Sequence, residues 1–345
     1  MKKLLCIALA AIMVLALAAC GSTTQPSENG DPSSAPASDP AASAEPSENA
    51  EVEAQYVVGI CQQMTHDALD QATQGFKDAL NEILGEGVVK FEEGNAGGEQ
   101  NNCTTIIDGF VSEGVDLILA NATWPLQAAA SATADIPILG TSVTDYATAL
   151  NIDNWTGTVG GNISGTSDLA PLDQQAAMIQ ELFPDATNVG LLYCSGEPNS
   201  VYQIETITGY LEEMGYTCTP YAFTDVNDLS SVTQMACDNS DVIYIPTDNT
   251  AAGNTETIAN IVLAAGVPVV AGESGICSGC GVATLSISYY DIGYTTGEMA
   301  AQILQGEADI STMPIQSAPN VTKMYNATNC ETLGITIPEG YEAIA

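Results

Sequence analysis

Two stretches decide the fold: Val115-Asp116-Leu117-Ile118-Leu119-Ala120-Asn121-Ala122-Thr123 and Ser240-Asp241-Val242-Ile243-Tyr244-Ile245-Pro246-Thr247-Asp248-Asn249. Each has an acid, a short unbroken apolar run, and then amides, hydroxyls or a second acid. A run without alternation suits a strand buried on both faces of a parallel sheet. Each has a companion downstream, Asp135-Ile136-Pro137-Ile138-Leu139-Gly140-Thr141-Ser142 and Gly266-Val267-Pro268-Val269-Val270-Ala271-Gly272-Glu273, built the same way.

Working outward, the first half reads as a strand at Tyr56–Ile60 and a helix from Asp67 to Leu84. Apolar residues at 68, 69, 72, 76, 79, 80, 83 and 84 give that helix one greasy face. A strand at Val88–Phe91, a helix from Cys103 to Ser112, the strand at Asp116–Ala120, a helix from about Pro125 and a strand at Ile136–Leu139 follow. The second half repeats the alternation. It has helices at Leu172–Phe183, Asn199–Met214, Asp228–Cys237 and Asn249–Ala265, with strands at Asn188–Tyr193, Tyr216–Phe223, Asp241–Ile245, Val267–Ala271 and Val282–Leu285. Regular strand–helix alternation predicts an α/β protein of two Rossmann-like, doubly wound parallel-sheet lobes, a whole-domain repeat with a cleft between the copies.

The first 54 residues do not join this pattern. Lys2-Lys3, an apolar stretch from Leu4 to Ala16 and Leu17-Ala18-Ala19-Cys20-Gly21 resemble a bacterial lipoprotein signal. The stretch is short for a membrane span. Residues 1–19 are expected to be removed, leaving Cys20 as a lipidated N-terminus that anchors the chain to the membrane. Residues 20–54, rich in Ser, Pro, Ala and acid, cannot bury enough apolar surface to offset their entropy and are expected to form a tether.

The chain carries 43 acidic residues against 5 basic ones, a formal net charge of −38. Once the signal is removed only Lys77, Lys90 and Lys323 remain, and there is no arginine. Such a surface repels nucleic acid and anionic headgroups. Without a guanidinium, an anionic ligand group has to be met by hydroxyls, backbone N–H groups and helix N-termini.

Parallel sheets bind ligands beyond the carboxyl ends of their strands. Here those ends are Cys61–His66, Asn121–Trp124 and Gly140–Ser142 in the first half, and Cys194–Ser200, Pro246–Thr250 and Gly272–Ser274 in the second. All are polar ends on apolar strands. Capping of the following helices accounts for any one of them, and a shared cleft accounts for all six. No Gly-x-Ser-x-Gly elbow, Walker loop or Gly-x-Gly-x-x-Gly turn is present, and the single histidine, His66, reads as a pocket-wall or helix-start residue. These features predict a binding protein, not an enzyme, with no cofactor and no metal. Cys277-Ser-Gly-Cys280 lacks two further zinc ligands nearby, and is read as a structural disulfide or a pair of free thiols. Pairing among the eight cysteines at 61, 103, 194, 218, 237, 277, 280 and 330 is left open.

The segments Gly161–Asp168 (GNISGTSD), Glu197–Ser200 (EPNS), Ile245–Thr250 (IPTDNT), Val269–Glu273 (VVAGE) and Ser288–Leu304 (SYYDIGYTTGEMAAQIL) resemble ABC-transporter substrate-binding lipoproteins related to tryptophan- and tyrosine-binding importers. The resemblance runs from about Tyr56 to Pro338. It implies the type I periplasmic-binding-protein architecture, two flavodoxin-like lobes joined by a three-strand hinge, closing on a ligand. The lobes would be 55–165 with about 288–312, and 166–287 with about 313–345. It also implies an aromatic amino acid (Trp, Tyr or Phe) as ligand, an ABC permease with its ATPase as partner, and a place on the extracellular face of a Gram-positive-type membrane. Trp124 and the Cys277/Cys280 pair depart from the family, as does the polar loop Gln62–His66.

A zwitterionic ligand assigns roles. Asp248, then Glu273 or Asp168, would accept from its ammonium. The hydroxyls of Thr123, Ser142 and Ser167, or N–H groups around Asn199 and Ser200, would meet its carboxylate, with Gln63 and Asn249 at the same strand ends. Trp124, Met64 and Tyr290 would flank an aromatic ring, although core packing explains Tyr289 and Tyr290 equally well. The alternatives are a sugar or nucleoside receptor of the same fold, and a surface adhesin or antigen with a vestigial cleft.

Overall fold

Two sheets, each carrying helices on both faces, account for the chain from Tyr56 onward. The computed structural model describes residues 54–318 and 320–344; the expected signal sequence, Cys20 and the tether up to residue 53 lie outside them. The first run is β1 (Tyr56–Gln62), α1 (Asp67–Leu84), β2 (Val89–Asn95), α2 (Gln100–Glu113), β3 (Leu117–Asn121), α3 (Thr123–Ala132), β4 (Ile138–Val143), α4 (Tyr146–Leu150) and β5 (Ile163–Ser167). The second is α5 (Leu172–Leu182), β6 (Asn188–Cys194), α6 (Pro198–Glu213), β7 (Thr217–Phe223), α7 (Val226–Asn239), β8 (Val242–Ile245), α8 (Asn249–Ala252), α9 (Thr255–Ala265), β9 (Val269–Ala271), α10 (Ser274–Gly279) and β10 (Ala283–Ser286). Then come α11 (Tyr289–Leu304), β11 (Gln316–Ser317), β12 (Thr322–Tyr325), α12 (Ala327–Leu333) and β13 (Glu342–Ala343).

The first sheet has the order β11-β5-β4-β3-β1-β2 and the second β13-β12-β10-β9-β8-β6-β7. Every pairing is parallel except β10 with β12. The central strands β3, β4, β8 and β9 are buried at every residue, as their unbroken apolar runs require. Two apolar layers flank each sheet: around Ile107, Leu126 and Tyr146 or Phe76, Leu80 and Met299 in the first lobe, and around Phe223, Leu229 and Val262 or Ile179, Leu211 and Tyr244 in the second.

Helix α1 occupies the span its periodicity predicts and buries Ala68, Leu69, Ala72, Phe76, Ala79 and Leu80. Its partner is α11, which returns from the second sheet. The two backbones touch at Gly75 and Gly293, where any side chain would run into the Tyr290 and Ala72 carbonyls. The expected helix Asn249–Ala265 is two helices. Gly253 ends α8 and Asn254 opens α9, a local stop inside an apolar period. The chain crosses between sheets three times, after Ser167, Ser286 and Ser317. Strand β11 pairs with β5, so Gln316 and Ser317, like Thr166 and Ser167, sit with the first sheet.

Candidate functional site

Five of the six predicted strand ends, all but Asn121–Trp124, supply residues to one interlobe pocket, and the two lobes furnish it differently. In the second lobe three carboxylates cap helices. Glu197, at the start of α6, accepts from Asn249 N (3.1 Å), Asn249 Nδ2 (2.7 Å), Thr250 N (2.8 Å) and Thr250 Oγ1 (2.7 Å). Asp248 caps α8, accepting from Ala251 N at 2.8 Å, and its other oxygen accepts from Cys194 N at 2.6 Å. Glu273 caps α10 through Gly275 N (2.5 Å) and Ile276 N. Each lies where a first-turn N–H group has no helical acceptor, so the anion is held by the helix end.

The first lobe is strained where the second is capped. Ala122 (φ 97°) and Ser142 (φ 53°) follow β3 and lie in β4 with left-handed backbones that a side chain disfavours, and the β4–β5 register slips between Gly140 and Val143. Asp168, one residue beyond β5, is buried. Its Oδ2 accepts from the Tyr289 hydroxyl at 2.9 Å while its Oδ1 has no hydrogen-bond partner. Ser142 Oγ and Asn199 Oδ1 are likewise buried without partners.

These three orphan atoms belong to residues lining one narrow pocket between the lobes. Its first-lobe wall is His66, Ala68, Leu69, Ser142, Thr144 and Asp168; its second-lobe wall is Asn199, Thr247, Asp248, Asn249, Ala252 and Glu273, with Tyr289 from the crossover helix. The lobes touch across it, His66 Nε2 lying 3.1 Å from Asn249 Oδ1 and Thr144 Oγ1 3.5 Å from Thr247 Oγ1. No lysine among the described residues reaches the pocket: Lys77, Lys90 and Lys323 pair at the surface with Glu93, Glu92 and Glu181.

A pocket holding three carboxyls and no Lys or Arg resists ionising them. Burial, and then the charge of Glu197, pushes Asp248 up to about 7. Burial pushes Glu273 up to about 7 and raises Asp168 above its ordinary value. Burial lowers His66, keeping the imidazole neutral, with Nε2–H donating to Asn249.

Of the residues singled out from sequence, Ser142, Asp168, Asn199, Asp248, Asn249 and Glu273 line the pocket, and His66 forms its wall. Ser200 is fully buried and lies outside the lining, its Oγ accepting from Asn199 Nδ2 at 3.3 Å. Gln63, Thr123 and Ser167 lie at the expected strand ends but outside the lining: Gln63 Oε1 accepts from Trp124 N, and Ser167 Oγ donates to the Thr144 carbonyl. Three residues do not flank the pocket. Trp124 packs in a groove between α2 and α3. Met64 reaches across the lobes to Gly253. Tyr290 is exposed and donates to Asp78, because on α11 it points a helical step away from its neighbour Tyr289, which holds Asp168. Sequence reading missed Thr144 and Tyr289 as lining residues. The capping positions of Asp248 and Glu273 were visible in sequence, but the use of both oxygens of each by backbone N–H groups was not.

The profile of the family described as ABC transporter substrate binding protein matches residues 57–345. A tyrosine-binding protein of Clostridioides difficile (strain R20291) is 30% identical over 278 residues, 80% of this chain and 80% of that protein. The crystal structure of an ABC domain in complex with L-Trp from Streptococcus pneumonia superposes with a TM-score of 0.80 at 31% identity, covering 84% of this chain and all of that one. The ligand-free, open structure of a substrate-binding protein with adhesive properties from Clostridium difficile gives 0.65 at the same identity, covering 84% of this chain and 99% of that one. With its two parallel sheets, three crossovers and interlobe pocket, the chain belongs to the ABC transporter substrate-binding protein family.

Proposed function

We propose that this chain is an extracytoplasmic receptor, anchored through a lipid on Cys20, that captures an aromatic amino acid in the interlobe pocket and delivers it to an ABC importer. One observation carries the ligand class: Asp168 Oδ1, a buried carboxylate oxygen without a partner, in a pocket that supplies acids, hydroxyls and amides but no Lys or Arg. A buried anion without a partner is costly, and a ligand ammonium is the group that relieves it. A neutral sugar brings no such charge, and a vestigial cleft has no reason to keep the cost.

Asp168 therefore takes the role that sequence reading gave first to Asp248, whose two oxygens are already bonded to backbone N–H groups. The Ser142 hydroxyl is free to meet the ligand carboxylate. The aromatic part of the reading rests on the relatives named for tyrosine and bound to L-Trp. The closed arrangement is supported by the better match to the L-Trp complex than to the open, ligand-free structure at equal identity.

Calorimetric titration of protein unfolded and refolded to strip carried-over ligand, against the twenty amino acids, tests this. Trp, Tyr or Phe is expected to bind at micromolar or tighter concentration. Its N-acetyl derivative should bind at least 100-fold more weakly, and Asp168→Asn should weaken the free amino acid about 30-fold, roughly 2 kcal/mol. Equal binding of the N-acetyl form, or no amino-acid binding at all, would sink the reading.

A further inference from the structure

The loop 246–250, with the short helix α8 that it opens, carries side-chain contacts that join the lobes across the pocket. The Thr247 hydroxyl lies 3.5 Å from that of Thr144, and His66 Nε2–H donates to Asn249 Oδ1 at 3.1 Å. The Met64 methyl rests against Gly253, leaving no room for a side chain there. Two side chains of the second lobe hold this loop in place. Glu197, which precedes α6, takes the N–H groups of Asn249 and Thr250 and also Asn249 Nδ2, so the Asn249 amide has only its oxygen to offer His66. Gln203, on the second turn of α6, clamps Thr247. Its Oε1 accepts from Thr247 N at 3.1 Å, and its Nε2 donates to Thr247 Oγ1 at 2.5 Å and to the Asn199 carbonyl at 3.1 Å. The same Nε2 lies 3.4 Å from Thr144 Oγ1 in the opposite lobe. Gln203 is 2% exposed, yet it is not among the residues lining the pocket. A buried amide is costly unless its bonds are made, and this one makes them to the loop and toward the other lobe.

We propose that the loop 246–250 is the catch that keeps the lobes closed, and that Gln203 is the positioning residue that sets it, governing from outside the pocket how long a ligand stays. The inference takes its ligand from the receptor reading above; the catch itself rests on the contacts between the lobes. The bonds of Gln203 to Thr247 and Asn199 lie within the second lobe and persist when the lobes part. The contact with Thr144 exists only when they are together. Gln203 thus presents the Thr247 hydroxyl and one of its own N–H groups to Thr144 in advance, and closure orders little that is not already ordered. A contact made after the ligand has entered slows its escape, while its arrival is governed by the open form. Without the Gln203 amide, Thr247 N–H and Oγ1 lose their partner, and the closed form loses its hold on Thr144.

Capture and release of radiolabelled L-tryptophan by the full chain, stripped of carried-over ligand, separate the steps. Gln203→Met, similar in length and without the amide, should release tryptophan roughly five- to tenfold faster, with capture changed by less than about twofold. A variant that merely folded less well would bind fewer molecules and release them at the wild-type rate. Thr144→Val, which takes the hydroxyl from the other lobe, should also speed release, and Thr144→Ser should restore it. The effects of Gln203→Met and Thr144→Val should fall well short of adding in the double variant, since both act on one contact. Wild-type release from Gln203→Met, or additive effects of the two changes, overturns the proposal. Should Gln203→Met not fold, the Thr144 pair decides, and equal release from Thr144→Val and Thr144→Ser overturns it. A wild type that binds no tryptophan refutes the aromatic receptor reading instead. Small-angle scattering of the ligand-free proteins then judges the catch: the wild type should be more compact than Gln203→Met, and equal radii of gyration overturn it.

Discussion

The two lobes meet the pocket with opposite economies of hydrogen bonding. On the second lobe Glu197 and Asp248 spend their oxygens on the first turn of α8 and on Cys194 N, and Glu273 spends its own on the first turn of α10. The carboxylates of that wall are satisfied without a ligand, while its Asn199 Oδ1 is left unmet. On the first lobe Asp168 and Ser142 keep buried polar atoms unmet, and Ala122 and Ser142 hold disfavoured backbones. Strain and unmet bonds persist where a ligand is to relieve them. The contrast gives each lobe its own task. On the proposed function, the second lobe is the preformed half of the site, and the first supplies the interactions that the ligand would complete.

Substitutions should therefore split by lobe. The largest effect expected is on stability from the second lobe: Glu197→Ala leaves the N–H groups of Asn249 and Thr250 without their acceptor in a buried setting. It should cost about 3 kcal/mol in urea unfolding, with ligand affinity falling as Asp248 loses its position. Asp168→Asn on the first lobe should do the reverse, weakening the ligand while leaving unfolding unchanged or slightly harder. Equal stability losses from the two would break the comparison.

Acidity sharpens it next. Asp248 and Glu273 stand at about 7 in the folded protein, well above ordinary carboxyls, so the folded state holds their protons more tightly than the unfolded chain does. Stability of the unliganded protein should then fall as pH rises from 6.5 to 8, through those values. His66, lowered by burial, titrates below this window and opposes the trend only at more acid pH. A ligand ammonium favours the ionised carboxyls, so affinity should move the other way and rise with pH. Melting curves of the unliganded protein and titrations in buffers of different ionisation enthalpy check both signs, with protons released on binding near pH 7.

The fold was largely legible because its core strands are apolar runs bounded by polar ends, and such runs have few other homes. Among the elements that escaped, α4, α10, α12 and the short strands β5, β11, β12 and β13 are two to seven residues long, too short for a period to show. Half of the candidate site was legible too, since the strand-end rule locates Ser142, Asn199, Asp248 and Glu273 without any knowledge of packing. Side-chain direction was not. Tyr289 and Tyr290 look alike in sequence, and only the contact of α11 with α1 decides which one turns inward. Tyr289→Phe should leave Asp168 Oδ2 unpaired, costing about 1 kcal/mol of stability and several-fold in affinity. Tyr290→Phe loses only an exposed bond to Asp78 and should change neither by more than about 0.5 kcal/mol.

Ser142 tests whether the first lobe's strain serves binding. At φ 53° its backbone is one that glycine adopts without penalty, and its hydroxyl is one of the pocket's unmet groups. Ser142→Gly removes both together. Relief of strain, and loss of a buried hydroxyl with no partner, should stabilise the unliganded protein by up to about 1 kcal/mol, less whatever the unfolded chain gains in freedom. Affinity should fall about fivefold, because the ligand carboxylate loses a donor. Thermal melting and calorimetry on the same sample read the two signs separately. A variant both more stable and tighter-binding would mean that the strain at this strand end belongs to the register slip of β4 against β5 and has nothing to do with the ligand.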